Sequence, residues 1–285
     1  MLAYRHAFHA GNHADVLKHA VLVAVLRHMN QKDKAWRLLD THAGAGAYAL
    51  NAPQAQKRAE FAQGIGRLWG VKDLPPLLSD YLAQVRAINP EGTLSLYPGS
   101  PRITRGLMRP QDQLRLCELH TTDHTLLSQA FAGDEQVQVV NSDGFAAIRA
   151  QMPPPSRRGV LLIDPSYEIK TDYAAVVAAC REALTRFAEC VVLVWYPELT
   201  LRESAQLPTR LKAVAQAQAR KGWLNAKLTV AEPDHQGFGL FGSGMFVINP
   251  PHTLKPALKA ALPVLAKRLG QFEGAAGRLE LSHGL

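Results

Sequence analysis

What this 285-residue chain lacks narrows its function before any motif is read. No apolar run approaches the roughly 18 residues of a membrane span. The opening residues, MLAYRHAFHAGNHAD, hold none of the hydrophobic stretch a secretory signal needs, so the expectation is a cytoplasmic protein with no membrane partner. Cysteine is scarce. Cys117, Cys180 and Cys190 are an odd number in apolar surroundings, which suits reduced core residues rather than a disulfide framework. Gly-Lys-Ser/Thr is missing, which excludes a phosphate-cradling P-loop. There is no internal repeat and no low-complexity tract.

What is present is an ordinary globular composition, 47% apolar, in a chain long enough for one large domain or for one domain with an insertion. Lysine and arginine number 32 against 24 acids, and the net charge of +8 favours a polyanionic partner without separating RNA from DNA or an acidic surface.

The histidine-rich start, with Arg5, His6, His9 and His13, leads into a helix pattern capped by Asn12, with Asp15 in its first turn and Val16, Leu17, Ala20, Val21 and Ala24 as its apolar stripe. No cysteine or carboxylate cluster accompanies these histidines, so a basic arm touching phosphate explains them better than a metal does. AWRLLD then reads as a strand ending at Asp40, followed by THAGAGAY, where Gly44 and Gly46 let the backbone turn tightly near a ligand. Residues 51 to about 88 read as two or three amphipathic helices, a Pro98-Gly99-Ser100-Pro101 turn leads into a basic helix with Arg102, Arg105 and Arg109, and the next strand, LRLCE, ends at Glu118. That acid lies far beyond the twenty or so residues usual in a dinucleotide fold. The stretch 51–96 is therefore expected to be an inserted helical subdomain above the carboxyl edge of the sheet, with 1–50 and 97–285 forming the main domain.

Strand and helix then alternate regularly. Val137–Val140 ends at Asp143 and Gly144, Val160–Ile163 ends in Asp164-Pro165-Ser166-Tyr167, and two further units and a closing helix follow, with a loose tail expected beyond Gly270. The pattern implies a mostly parallel sheet covered on both faces, with ligands at the carboxyl ends of its strands. A glycine turn plus strand-end acids suits an adenosine-containing cofactor, Glu118 taking ribose hydroxyls and Asp143 an exocyclic amine. Asp164 beside the flat ring of Tyr167 suits a planar, amino-bearing substrate.

Asp164-Pro165-Ser166-Tyr167 resembles the Asp/Asn-Pro-Pro-Tyr motif of amino-group methyltransferases that use S-adenosylmethionine. YRHAFHAGNHADVLKH, LDTHAGAGAY, YPGSP and SRRGVLLIDPSYE together are similar to the bacterial 23S ribosomal RNA adenine-N6 methyltransferases of the J type, and the likeness covers nearly the whole chain. One departure is Ser166, where the family has a second proline.

The resemblance implies a Rossmann-like class I S-adenosylmethionine-dependent methyltransferase fold and transfer to N6 of a single adenine, adenine 2030. It implies a monomer needing no metal and acting on protein-free or partly assembled 23S rRNA. It assigns Lys18, His19, His42, Ser100, Glu118, Asp143, Gly144 and Asp164 to the cofactor pocket and Tyr4 to the substrate. Asp164 and Pro165 would bond the amino group in the transition state, and Tyr167 would stack on a base taken out of its helix. Cytosine C5 transfer is disfavoured, because no proline precedes any of the three cysteines. The rivals are a DNA adenine methyltransferase, a non-catalytic rRNA-binding assembly factor and a small-molecule methyltransferase.

Overall fold

A computed structural model describes residues 5–233, 239–273 and 276–285 of the chain. In order, the elements are helix α1 (His13–Met29), strands β1 (Arg37–Asp40) and β2 (Ala47–Ala49), helices α2 (Pro53–Arg58), α3 (Glu60–Gln63), α4 (Gly66–Trp69) and α5 (Pro76–Ala87), and β3 (Leu96–Pro98). Then come α6 (Ser100–Leu107), β4 (Gln113–Cys117), α7 (Thr121–Ala130), β5 (Val137–Val140), α8 (Gly144–Gln151), β6 (Gly159–Ile163), α9 (Thr171–Arg186), β7 (Val191–Glu198), α10 (Arg202–Gln218), β8 (Trp223–Thr229), β9 (Gly242–Ile248), α11 (Leu254–Leu269) and β10 (Arg278–Gly284).

Eight strands form one sheet in the order β10-β8-β9-β7-β6-β1-β4-β5. β5, β4, β1, β6 and β7 pair in parallel, and β9 enters antiparallel between β7 and β8. The chain runs outward from β1 through β4 to β5, then returns to place β6 on the other side of β1. That reversal opens a crevice at the carboxyl ends of these strands.

Alternation along the inner strands feeds two cores, as a sheet covered on both faces requires. In β6, Val160 and Leu162 face the core built on α1, α5 and α11, while Leu161 and Ile163 face the core built on α9 and α10. All three cysteines are buried and free.

α1 is the helix that fixes the site. Asn12 accepts hydrogen bonds from the Ala14 and Asp15 amides, both at 3.0 Å, and so caps it. Leu22, Val23, Val25 and Leu26 are buried along with Val16, Leu17, Ala20 and Val21 of the expected stripe, while Ala24 is half-buried, so α1 is apolar nearly all round and sits inside the molecule rather than on it.

The helical insertion is closed at its base by an antiparallel ribbon of β2 and β3. It holds four helices, and its Ile65, Leu78, Tyr81, Leu82 and Val85 join the same core as α1. Gly64 sits hard against the start of α1, where the Ile65 amide donates to the Gly11 carbonyl at 2.8 Å and a Cβ on Gly64 would lie 2.1 Å from that same oxygen.

The tail corrects the sequence expectation. Residues 278–284 are not loose but form β10, paired antiparallel with β8 from Arg278↔Thr229 to Gly284↔Trp223. β8 would otherwise present an unpaired edge. Among the described residues, no helix is long and apolar enough to cross a membrane.

Candidate active site

The carboxyl ends of β1, β4, β5 and β6 open onto a cavity of about 310 Å³. The turn after β1 forms one wall. The Thr41 hydroxyl donates to the Leu162 carbonyl at 3.0 Å and contacts His42 Nδ1 at 2.8 Å. With its one proton committed, that oxygen must accept from Nδ1–H, which leaves His42 Nε2 as an acceptor. Burial holds the His42 imidazole down at about 4, so it is neutral. Gly44 adopts φ 61°, and its amide donates to Glu118 Oε2 at 2.7 Å. A side chain there would meet Tyr48 Oη at 2.3 Å, so the close turn needs glycine.

Glu118 spans the gap between two backbones. Its Oε1 accepts from the His120 amide at 2.7 Å, and burial pushes the carboxyl above its usual range while those two amides oppose the shift. Each oxygen keeps a second lone pair for a ligand hydroxyl. Asp143 caps α8, accepting from the Phe145 amide through Oδ1 at 2.9 Å, which leaves Oδ2 open. The next residue must be glycine, since a Cβ on Gly144 would lie 2.0 Å from the Thr41 carbonyl oxygen. The α8 N-terminus is thereby docked against the β1 turn.

Asp40 ends β1 but does not line the cavity. It is fully buried, accepting from Ser100 Oγ at 2.6 Å and the His42 amide at 3.2 Å. Burial raises it to about 7, with Ser100 and His42 opposing. Ser100, the first residue of α6, thus has a structural bond as well as a place in the cavity wall.

Asp164 closes β6 and meets Lys18 from α1 at 2.5 Å. Lys18 also holds Asp15 at 2.8 Å, and Asp15 in turn accepts from the Gly11 amide at 2.8 Å and contacts His6 at 2.9 Å. Burial disfavours the Lys18 ammonium, but the two carboxylates outweigh it and hold the group well above its usual range. Burial pushes Asp164 above its usual range, with Lys18 opposing. Asp15 is likewise buried, yet His6 and Lys18 keep it well below the carboxylate range. His19, one residue on, bonds Tyr97 Oη through Nδ1 at 2.8 Å. Its Nε2 is buried without a protein partner, and burial holds the ring down at about 3.

Eight residues expected at a cofactor, Lys18, His19, His42, Ser100, Glu118, Asp143, Gly144 and Asp164, all line this one cavity, as does Pro165. Tyr167 does not. Contrary to the expectation of an open ring face, its ring lies 4.7 Å from Tyr173 and 5.9 Å from Trp195, and its hydroxyl donates to the Trp195 carbonyl at 2.7 Å. A buried phenol needs a partner, and this one has found it in β7. Tyr4 lies outside the described residues.

The basic-arm reading of the histidines is also corrected. His6 is bonded to Asp15, His9 to Glu60 at 3.0 Å, and His13 is buried and held down at about 4, so the segment is folded onto the site rather than presented to phosphate. Sequence reasoning missed His6, Thr41, Tyr48 and Phe145 in the wall. His6 carried a signal in its motif, whereas Tyr48 and Phe145 carried none.

The residues present fit an adenosyl cofactor. His19 Nε2 is an orphaned polar atom in the wall, Gly44 and Gly144 line the cavity without side chains, and Glu118 and Asp143 keep free lone pairs. An open sheet in this order, with its antiparallel strand between the last two parallel ones and a cavity at the switch point, defines the class I methyltransferase fold.

Residues 33–280 match the family model described as Ribosomal RNA large subunit methyltransferase D, RlmJ. The chain is 45% identical to ribosomal RNA large subunit methyltransferase J of Escherichia coli over 269 residues, covering 94% of each. It is 42% identical to the protein of that name from Haemophilus influenzae over 270 residues, again 94% of each. A solved structure from Legionella pneumophila, 32% identical, covers 97% of this chain and 98% of its own with a TM-score of 0.87. The chain belongs to the ribosomal RNA large subunit methyltransferase J family.

Proposed function

We propose that this protein methylates the exocyclic N6 of one adenine in 23S rRNA, using S-adenosylmethionine held in the cavity of Glu118, Asp143, Ser100, His19 and His42. Bound there, the cofactor supplies an electrophilic methyl group on a sulfonium. In this reading Glu118 takes the ribose hydroxyls and Asp143 Oδ2 the cofactor's adenine amine.

The observation that carries the reading is Asp164 at the cavity wall, beside Pro165 and paired with Lys18. An adenine amine is conjugated with its ring and a poor nucleophile. Two acceptors that favour a pyramidal nitrogen lower the barrier, because they bond more strongly in the transition state than before it. Lys18 occupies Asp164 Oδ2, which leaves Oδ1 for one N–H, and the Pro165 carbonyl takes the other. The lysine also opposes the effect of burial on Asp164, favouring the ionised acceptor this role needs. As nitrogen gains the methyl group it loses one proton, which leaves by way of Asp164 or solvent.

Stacking of the target base on Tyr167 belongs to the same proposal, and requires that ring to turn out of its packing on Tyr173 and give up its bond to Trp195. Ser166 lines the cavity in place of the family's proline and leaves both acceptors where they are.

The test offers methyl donor with protein-free 23S rRNA, assembled large subunits, duplex DNA and free adenosine in parallel, followed by mass spectrometry of the products. N6-methyladenosine from protein-free rRNA alone is the expected result. Methylation of the DNA, or of free adenosine, would contradict it.

A further inference from the structure

A second cavity, of about 740 Å³, lies at the opposite edge of the sheet. β8 runs parallel to β7, so Trp223 at its start marks the amino ends of the parallel strands, away from the cavity at their carboxyl ends. His28 from the end of α1, Lys221, His252, Lys255 and His283 converge on it. No Asp or Glu side chain is among the lining residues, and Leu285 stands exposed at the rim. Lys255 Nζ contacts His283 Nε2 at 2.5 Å, which makes that imidazole an acceptor and leaves the lysine's remaining protons free to donate. The N-terminus of the 16-residue α11 opens beside it, adding the positive end of a helix.

We propose that this cavity binds a backbone phosphate of the RNA whose target base occupies the catalytic cavity, an inference that rests on the function proposed above. The positive field there is visible at His28, which burial holds below its usual range together with the neighbouring His252, Lys221, Arg158 and Lys32. Those same cations would meet a phosphate. The choice of a polymer over a free phosphate compound follows from placement. His19, in the catalytic wall, and His28, in this one, lie on the same helix nine residues apart, about 14 Å along its axis. An extended anion reaches both ends of α1, and a mononucleotide does not. Phosphate contacts of this kind fix register without reading sequence, which suits a site remote from the chemistry.

The test is Lys221→Gln/Lys255→Gln in the full-length protein, with Lys221→Gln and Lys221→Glu as single variants. Lys221 is exposed and Lys255 half-exposed, so neither change opens the core. Affinity for protein-free rRNA is measured across a salt series, together with kcat and KM for methyl transfer and, separately, inorganic phosphate as competitor.

The expected result is a several-fold weaker affinity, a salt slope reduced by about 1 for the double variant, a raised KM and an unchanged kcat. The charge-reversed variant should bind more weakly than a single neutral substitution. Affinity and slope equal to wild type would overturn the proposal. So would a site that takes inorganic phosphate while RNA binding ignores both substitutions. The affinity series reads this site whether or not a methyl group is transferred, so failure of the catalytic reading would be seen separately, as binding without product.

Discussion

Two carboxylates at strand ends are handled in opposite ways. Asp164 has a lysine against it, whereas Asp40 has two neutral donors, Ser100 and the His42 amide, and burial raises it to about 7. The unfolded chain releases that proton near 3.8, so between these values the folded state binds the extra proton and the Asp40 contribution to stability falls as pH rises. Asp40→Asn removes the titration. Its stability relative to wild type should climb from about pH 4 to about pH 7, by on the order of a few kcal/mol at most, and melting temperatures of the two proteins that run parallel against pH would contradict this. Glu118, Asp143 and Asp164 were legible in the sequence because each follows an apolar run at the point where a strand must stop. The Lys18–Asp164 pair was not, since its members stand 146 positions apart and only the fold joins them. Tyr167 was legible as an aromatic ring but not in its orientation, which depends on the Trp195 carbonyl of a later strand.

At the scale of elements, a close backbone contact adds to the shared core in holding the insertion to the site. Gly64 has no room for a Cβ against the Gly11 carbonyl and Asn12, the residue that caps α1 and so helps aim Lys18 and His19. Gly64→Ala should therefore cost about 1–3 kcal/mol, lowering the melting temperature and weakening cofactor binding together. An alanine variant with the stability of wild type would show that the insertion does not clamp α1. The parallel strands and long helices were readable from period and length. The three-residue strands β2 and β3 were too short to carry a period, and β10 depends on the open edge of β8 rather than on its own composition.

Across the whole molecule, the two edges of one sheet carry different side chains. The carboxyl edge gathers Glu118, Asp143 and Asp164 around a cofactor-sized cavity, and the amino edge gathers lysines and histidines with no acidic side chain among the lining residues. α1 runs between them, its Lys18 and His19 at the first and His28 at the second. The net charge of +8 was evident from the start, but where it concentrates depends on residues from α1, the start of β8, α11 and β10 that only the folded chain assembles.

The central claim is that Asp164 accepts from the amine that is methylated, and the most direct measurement compares wild type with Asp164→Ala on protein-free 23S rRNA, reading N6-methyladenosine by mass spectrometry alongside RNA affinity. Wild type should yield the modified nucleoside and the variant none above background, with RNA affinity nearly equal. Equal methylation by the two proteins would contradict the account.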